Sequence, residues 1–522
     1  MLFRSPKEPN TIFVEMAKGH ISFSILWILT LGILGSVVRY LYGYFHEPWN
    51  LAADHIAWEI VVQHGSFAYS ELIHYPHEGG TLLITLLAKT IASLSAFNSL
   101  ATTAFLLDFM VRCCQICIVK KVFGSRISIV FGIFTIFAYP IMIPWGTVNF
   151  GLHALSSIFP FIFLAFLHFW KNSRKYQFQF SLFLGLAIWF SYSNFIFIPI
   201  TIAYVWLYQK NTVKYTSLFL PFLSILGSHL WVRYQFDPGF QLTNFSVTGI
   251  RGEDFRLLGF STLKHLALVG NTLANGATIS SSSTIHLLSK ILFIGFSFVG
   301  AVGLFKLYKE QKMQLSHKLA LTLLFLFLFI YGVSPFFTTN DSSNYILFRH
   351  LTYIFPVFGL MVLIGIHNTN HKYWYSFAFI IIGVMGSILL IEPTNEPSTL
   401  PPNQKAGWVL GTKFGHEPQR LTEIISPIAD KEDLLIGIGW GITTSLFQSS
   451  LSSDSNMESK QAQFSQLIQQ YPTSYSALLW QGTKLAFSPS VSPVLDQNIF
   501  ESIKKTDPTY RILNKQTTPP PY

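Results

Sequence analysis

Residues 21–41 read Ile21-Ser-Phe-Ser-Ile25-Leu-Trp-Ile-Leu-Thr30-Leu-Gly-Ile-Leu-Gly35-Ser-Val-Val-Arg39-Tyr40-Leu41. A run this long and this apolar matches the roughly 20 residues that an α-helix needs to cross hydrocarbon. Arg4, Lys7 and Lys18 precede it without a small-residue cleavage site, so it reads as a signal-anchor helix starting in the cytoplasm. Working outward, comparable runs recur near 99–119, 127–145, 151–170, 178–194, 195–209, 214–233, 288–308, 317–335, 348–366 and 372–391. They predict an all-α polytopic membrane protein with about eleven transmembrane helices.

Composition agrees with that reading. Of 522 residues 50% are hydrophobic, 16% aromatic and only 11% charged, against roughly 25% charged in a soluble domain. A cytosolic enzyme, a disordered chain and a coiled coil are excluded. An outer-membrane barrel is excluded too, because its strands alternate at period 2 and these runs do not.

The formal net charge of +10 is not a nucleic-acid signal. It divides into +12 through Ile391 and −2 from Glu392 onward, so the excess bears on membrane orientation. With the spans above, Lys120/Lys121/Arg126, Lys171/Arg174/Lys175, Lys210/Lys214, Lys306/Lys309/Lys312/Lys318 and Lys372 fall on the side of the N-terminus. The segment 42–80, with five acids and no Lys or Arg, falls on the other, as does the longer loop 234–287. The tail 392–522 then lies outside as a small C-terminal extracytoplasmic domain, α or mixed α/β. The leftover run Thr81–Phe97, with Lys89 in its middle, reads as a juxtamembrane or partly inserted helix. At Ser191–Asn194 the chain turns between two short spans. Cys113, Cys114 and Cys117 read as buried free thiols. Asp108 and Arg112, four apart on one membrane helix, read as an internal ion pair, although an intramembrane charge is also a functional flag.

The loop 42–80 holds the densest chemistry. Residues 51–63 suit an interfacial helix on which Leu51, Trp58 and Val62 share a face flanked by Asp54. Asp54 near the helix start is either an ordinary cap or a carboxylate poised beside lipid headgroups. Tyr75-Pro76 and Gly79-Gly80 close the loop with a turn. His74, His77 and Glu78 could hold a divalent cation, although their spacing is loose and no cysteine assists. In the second loop, Arg251 and Arg256 are interspersed with Glu253 and Asp254, a pattern that fits a solvated ion-pair cluster better than a phosphate site.

The acidic residue after the first membrane helix, followed by Tyr75-Pro76 and Gly79, resembles the GT-C class of polytopic membrane glycosyltransferases. Phe348-Arg349-His350-Leu-Thr-Tyr353-Ile-Phe-Pro356 resembles the Arg-Tyr-x-x-x-Pro motif of the same class, with His350 in place of the tyrosine. The first motif departs from the class in having His77 for a second proline and a glycine one residue late.

The resemblance implies transfer of a sugar from a polyprenyl-phosphate carrier to an acceptor at the outer face of a bacterial inner membrane. Asp54 would be the general base. Arg349 with His350, helped by Arg251 and Arg256, would hold the lipid phosphate, a task suited to the planar guanidinium fork. Glu59, Tyr75, Pro76 and Gly79 would form the loop motif. Arg349 as a plain interfacial anchor is the competing reading. A divalent cation is used by some members and not by others. The expected partners are the lipid-linked sugar and membrane lipid, plus an acceptor or protein for residues 392–522. Two rivals stand beside this reading: a flippase for a lipid-linked glycan, with functional polar groups along its helices, and an assembly protein that recruits through its outer domain.

Overall fold

The structure, a computed structural model, describes residues 23–46, 79–94, 99–137, 152–209, 212–236, 283–333 and 341–391, with isolated positions such as Val62, Phe67 and Leu72 between them. The described part is about 90% helical and contains no strand. Its helices are α1 (Phe23–His46), α2 (Gly80–Leu94), α3 (Ser99–Phe123), α4 (Ser125–Phe137), α5 (His153–Ser156), α6 (Ile158–His168), α7 (Arg174–Phe190), α8 (Phe197–Tyr204), α9 (Tyr215–Phe236), α10 (Ser283–Lys309), α11 (Leu315–Val333), α12 (Asp341–His367) and α13 (Lys372–Ile391). Among the described residues, three segments are long and apolar enough to cross a membrane: Ser99–Phe123, Tyr215–Val232 and Leu287–Lys309. Shorter apolar helices such as Ile25–Leu41, Leu315–Ile330 and Leu351–His367 accompany them. The tail 392–522 lies outside the described residues.

Large apolar side chains line the outer surface. Leu26, Leu29, Ile33 and Leu34 of α1 are exposed, as are Leu287, Ile291, Ile294, Phe298 and Phe305 of α10. Monomeric soluble proteins rarely show contiguous apolar patches beyond a few hundred Å², and this surface suits lipid.

Two helix boundaries differ from the apolar runs. Within the run 127–145, the described residues of α4 are Ser125–Phe137, and Met142 and Ile143 are also helical. The run 151–170 is divided between α5 and α6 at Ser157, after Leu152 with φ 53°. Helix α12 begins at Asp341, not near 348. Asn340, Asp341 and Ser342 are residue types that favour helix starts. The break near Ser191–Asn194 stands where the sequence puts it: α7 ends at Phe190 and a 3₁₀ turn, Tyr192–Ile196, leads into α8.

The basic turns gather at one end of the bundle. The Phe123 and His317 rings, 5.3 Å apart, join the end of α3 to the start of α11. Tyr204 Oη donates to Leu167 O at 3.2 Å, joining the ends of α8 and α6. Gln177 Nε2 donates to Thr212 O at 3.1 Å, joining the start of α7 to that of α9. Lys120, Lys121, Lys171, Arg174, Lys175, Lys214 and Lys318 therefore share an end. In the turn after α10, Lys312 donates to Glu310 at 2.8 Å and holds that carboxyl below the usual carboxylate range.

Lipid tails are as apolar as leucine, so helices in a bilayer associate through close packing and not through hydrophobic burial. Small residues supply that packing here. A Cβ on Gly32 would fall on Cys113 Sγ, and one on Gly35 would lie 2.9 Å from Arg112 Cδ, so α1 and α3 meet over these glycines. Gly303 of α10 and Gly365 of α12 meet backbone to backbone, with Gly300 against Val362. Phe134 of α4 sits on Gly359 and stacks on Phe379 with ring centroids 5.3 Å apart. Gly303→Ala is expected to force α10 from α12 and destabilise the protein by about 2 kcal/mol, read as a lowered melting midpoint of the purified protein. An unchanged midpoint would mean that the contact is not tight.

The cysteines are free, as expected, but their burial is not: Cys113 is half-buried, while Cys114 and Cys117 are exposed. The buried face of α3 is taken by Asp108, Arg112, Gln115, Ile116 and Val119.

Candidate functional site

Helix α7 ends in backbone carbonyls that need donors. Asn194, fully buried in the 3₁₀ turn, donates from Nδ2 to Ala187 O at 2.7 Å. Its Oδ1 accepts the hydroxyl of Tyr353 at 2.8 Å, and Tyr353 is also fully buried, against Phe327. A single side chain thus ties the end of α7 to α12. Arg349 lies one helical turn before Tyr353 on α12, and His350 follows it.

The same turn receives the end of the first loop. Gly79 N donates to Trp189 O at 2.7 Å, and a Cβ on Gly79 would fall on the Trp189 indole. A Cβ on Gly80 would press on Phe190 and Leu152. Only glycines admit this approach of backbone to ring. The two motif segments, 75–79 and 348–356, are far apart in sequence, yet Gly79 and Tyr353 meet the chain within residues 189–194. Asp54, Glu59, His74, Tyr75, Pro76, His77, Glu78, Arg251 and Arg256 lie outside the described residues.

Val62 is buried in a small cluster with Ile84, Ala88, Leu100, Leu152 and Leu155. Lys89, in the middle of α2, is buried; its Nζ donates to Val62 O at 3.2 Å and stands 5.2 Å from the centre of the Phe67 ring. A lysine that looked awkward inside an apolar run thus clamps the loop onto α2. Among the described residues no cluster of His, Cys, Asp and Glu could hold a metal ion.

A second polar cluster lies inside the helices. Arg112 donates to Asp108 from Nε at 2.7 Å and from Nη2 at 3.2 Å. Ser36 Oγ donates to Asp108 Oδ2 at 3.0 Å, and Arg39 Nε stands 3.3 Å from Oδ1. Arg39 is 2% exposed, Arg112 4% and Asp108 8%. The ion pair of Asp108 and Arg112 is as the sequence predicts. Arg39 is the residue that was missed, and its signal was legible: a lone arginine inside an apolar run. Gln115 extends the cluster by donating to Ser157 O and Oγ, each at 3.0 Å. Polar groups are therefore not confined to one edge of the protein.

Helical rise places the two clusters at different heights. Counted from the basic end, Arg112 is about 16 Å up α3 and Tyr353 about 21 Å up α12.

No protein-family model, no curated protein and no solved structure matches this chain.

Proposed function

We propose that this protein is a GT-C-type membrane glycosyltransferase. It crosses a bacterial inner membrane about eleven times, with its N-terminus and basic turns in the cytoplasm and residues 392–522 outside. It moves a sugar from a polyprenyl-phosphate carrier to an acceptor at the outer face. The reading is supported by one observation above the rest: Gly79, which closes the first loop motif, and Tyr353, one turn after Arg349, both attach to the turn 189–194. An acid on the first loop and a cation on α12 would then work on one bound glycolipid. Asp54 would take the proton from the acceptor as it attacks the sugar carbon. Arg349, with His350, would hold the phosphate that leaves.

The test is turnover of a polyprenyl-phosphate-linked hexose or pentose by membranes overproducing the chain. Asp54→Asn and Arg349→Ala are each expected to cut sugar release by at least about 100-fold while inserting normally. Normal turnover by both variants, or none by the unaltered chain with either sugar class, would end this reading.

One observation favours a flippase instead. The buried Arg39–Asp108–Arg112 cluster sits within the helices and not at their ends, and transporters place their polar sites along their helices. A flippase moves the lipid-linked glycan intact, so release of free polyprenyl phosphate separates the two.

A further inference from the structure

Helix α4 is described from Ser125 to Phe137, and Met142 and Ile143 are also helical. In a helix the carbonyl of Ile136 would be served by the N–H four residues on, which belongs to Pro140 and does not exist. Arg39 Nη1 donates to Ile136 O at 3.2 Å and to Gly35 O at 2.9 Å. Arg112 Nη1 donates to the neighbouring carbonyl, that of Thr135. Two guanidiniums, held by one carboxylate, therefore serve adjacent carbonyls of α4.

We propose that Arg39 supplies the carbonyl of Ile136 with the hydrogen bond that Pro140 withholds, so that the Arg39–Asp108–Arg112 cluster serves the α4 backbone just ahead of the proline. An ordinary buried ion pair would need only Asp108 and Arg112, which already balance. The second arginine brings an excess charge that is costly to bury, and the carbonyl of Ile136 accounts for its presence. The inference does not depend on which reaction the protein performs.

A double-mutant cycle on the full-length protein in detergent isolates the coupling. Arg39→Met leaves the Asp108–Arg112 pair intact and leaves Ile136 O without its donor. It is expected to lower the melting midpoint by a few degrees. In the Pro140→Ala background, where residue 140 regains an N–H, the same substitution is expected to cost less than half as much. Equal losses in the two backgrounds, or no loss in Arg39→Met, overturn the proposal. If Arg39→Met yields no folded protein, the double variant decides. Its recovery as a single symmetric peak in size-exclusion chromatography supports the proposal, and continued absence of that peak overturns it.

Discussion

Asp108→Asn is expected to remove nearly all folded protein, seen as loss of the monodisperse peak when membranes are solubilised in mild detergent. The reason is arithmetic of charge in a place without water. Asp108 accepts two hydrogen bonds from Arg112 and one from Ser36, and it neighbours Arg39 at 3.3 Å. Removing its charge leaves two guanidiniums facing each other in the bundle with no anion between them. Breaking one partner of a buried ion pair typically costs 3–5 kcal/mol, and here two cations are stranded at once. Native proteins hold a margin of only about 5–15 kcal/mol. Asp108→Asn combined with Arg39→Met removes one of the two stranded charges and is expected to recover part of the peak. A single Asp108→Asn variant as stable as the unaltered protein would show that water or lipid phosphate reaches the cluster.

The helices themselves were legible, because an apolar run that must satisfy its own backbone in lipid has few alternatives to a helix. Where the runs misled, the reason is local. Apolar character begins near 348, yet α12 already runs from Asp341 through polar residues that hydropathy passes over. The glycine contacts between α10 and α12 were not legible, since Gly300, Gly303 and Gly365 acquire meaning only once the crossing is known. The same holds for the link between the motifs. Asn194 was visible as part of a break between two spans, but nothing in its neighbourhood names Tyr353, 159 positions away. Lys89 stood out as a charge in an apolar run, and Arg39, equally a charge in such a run, did not; their partners, the carbonyls of Val62 and Ile136, are backbone atoms that carry no sequence signature.

Asn194→Leu is expected to cut the proposed sugar transfer by about 100-fold, with KM for the lipid-linked sugar changing much less than kcat. Leucine keeps the branched shape of asparagine at a larger volume, and the melting midpoint measured beside kcat reports any cost in packing. What it removes are two hydrogen bonds, to Ala187 O and from Tyr353 Oη. Ala187 O keeps the N–H of Ser191 at 3.0 Å, so the loss is the buried hydrogen bond from the Tyr353 hydroxyl, about 1–3 kcal/mol, which the fold can survive. The larger consequence is positional. The turn 189–194 carries Gly79 through Trp189 O and α12 through Asn194, so freeing α12 lets Arg349 move relative to the first loop. A displacement of about 1 Å between reacting groups is enough to lose about 100-fold in rate. Tyr353→Phe removes the second hydrogen bond alone and is expected to lose about 10-fold. A merely structural Asn194 would reduce turnover only in proportion to the folded fraction. Melting midpoint and kcat measured on the same preparations separate the two: turnover that falls no further than the folded fraction would deny Asn194 any part in bringing the two motifs together.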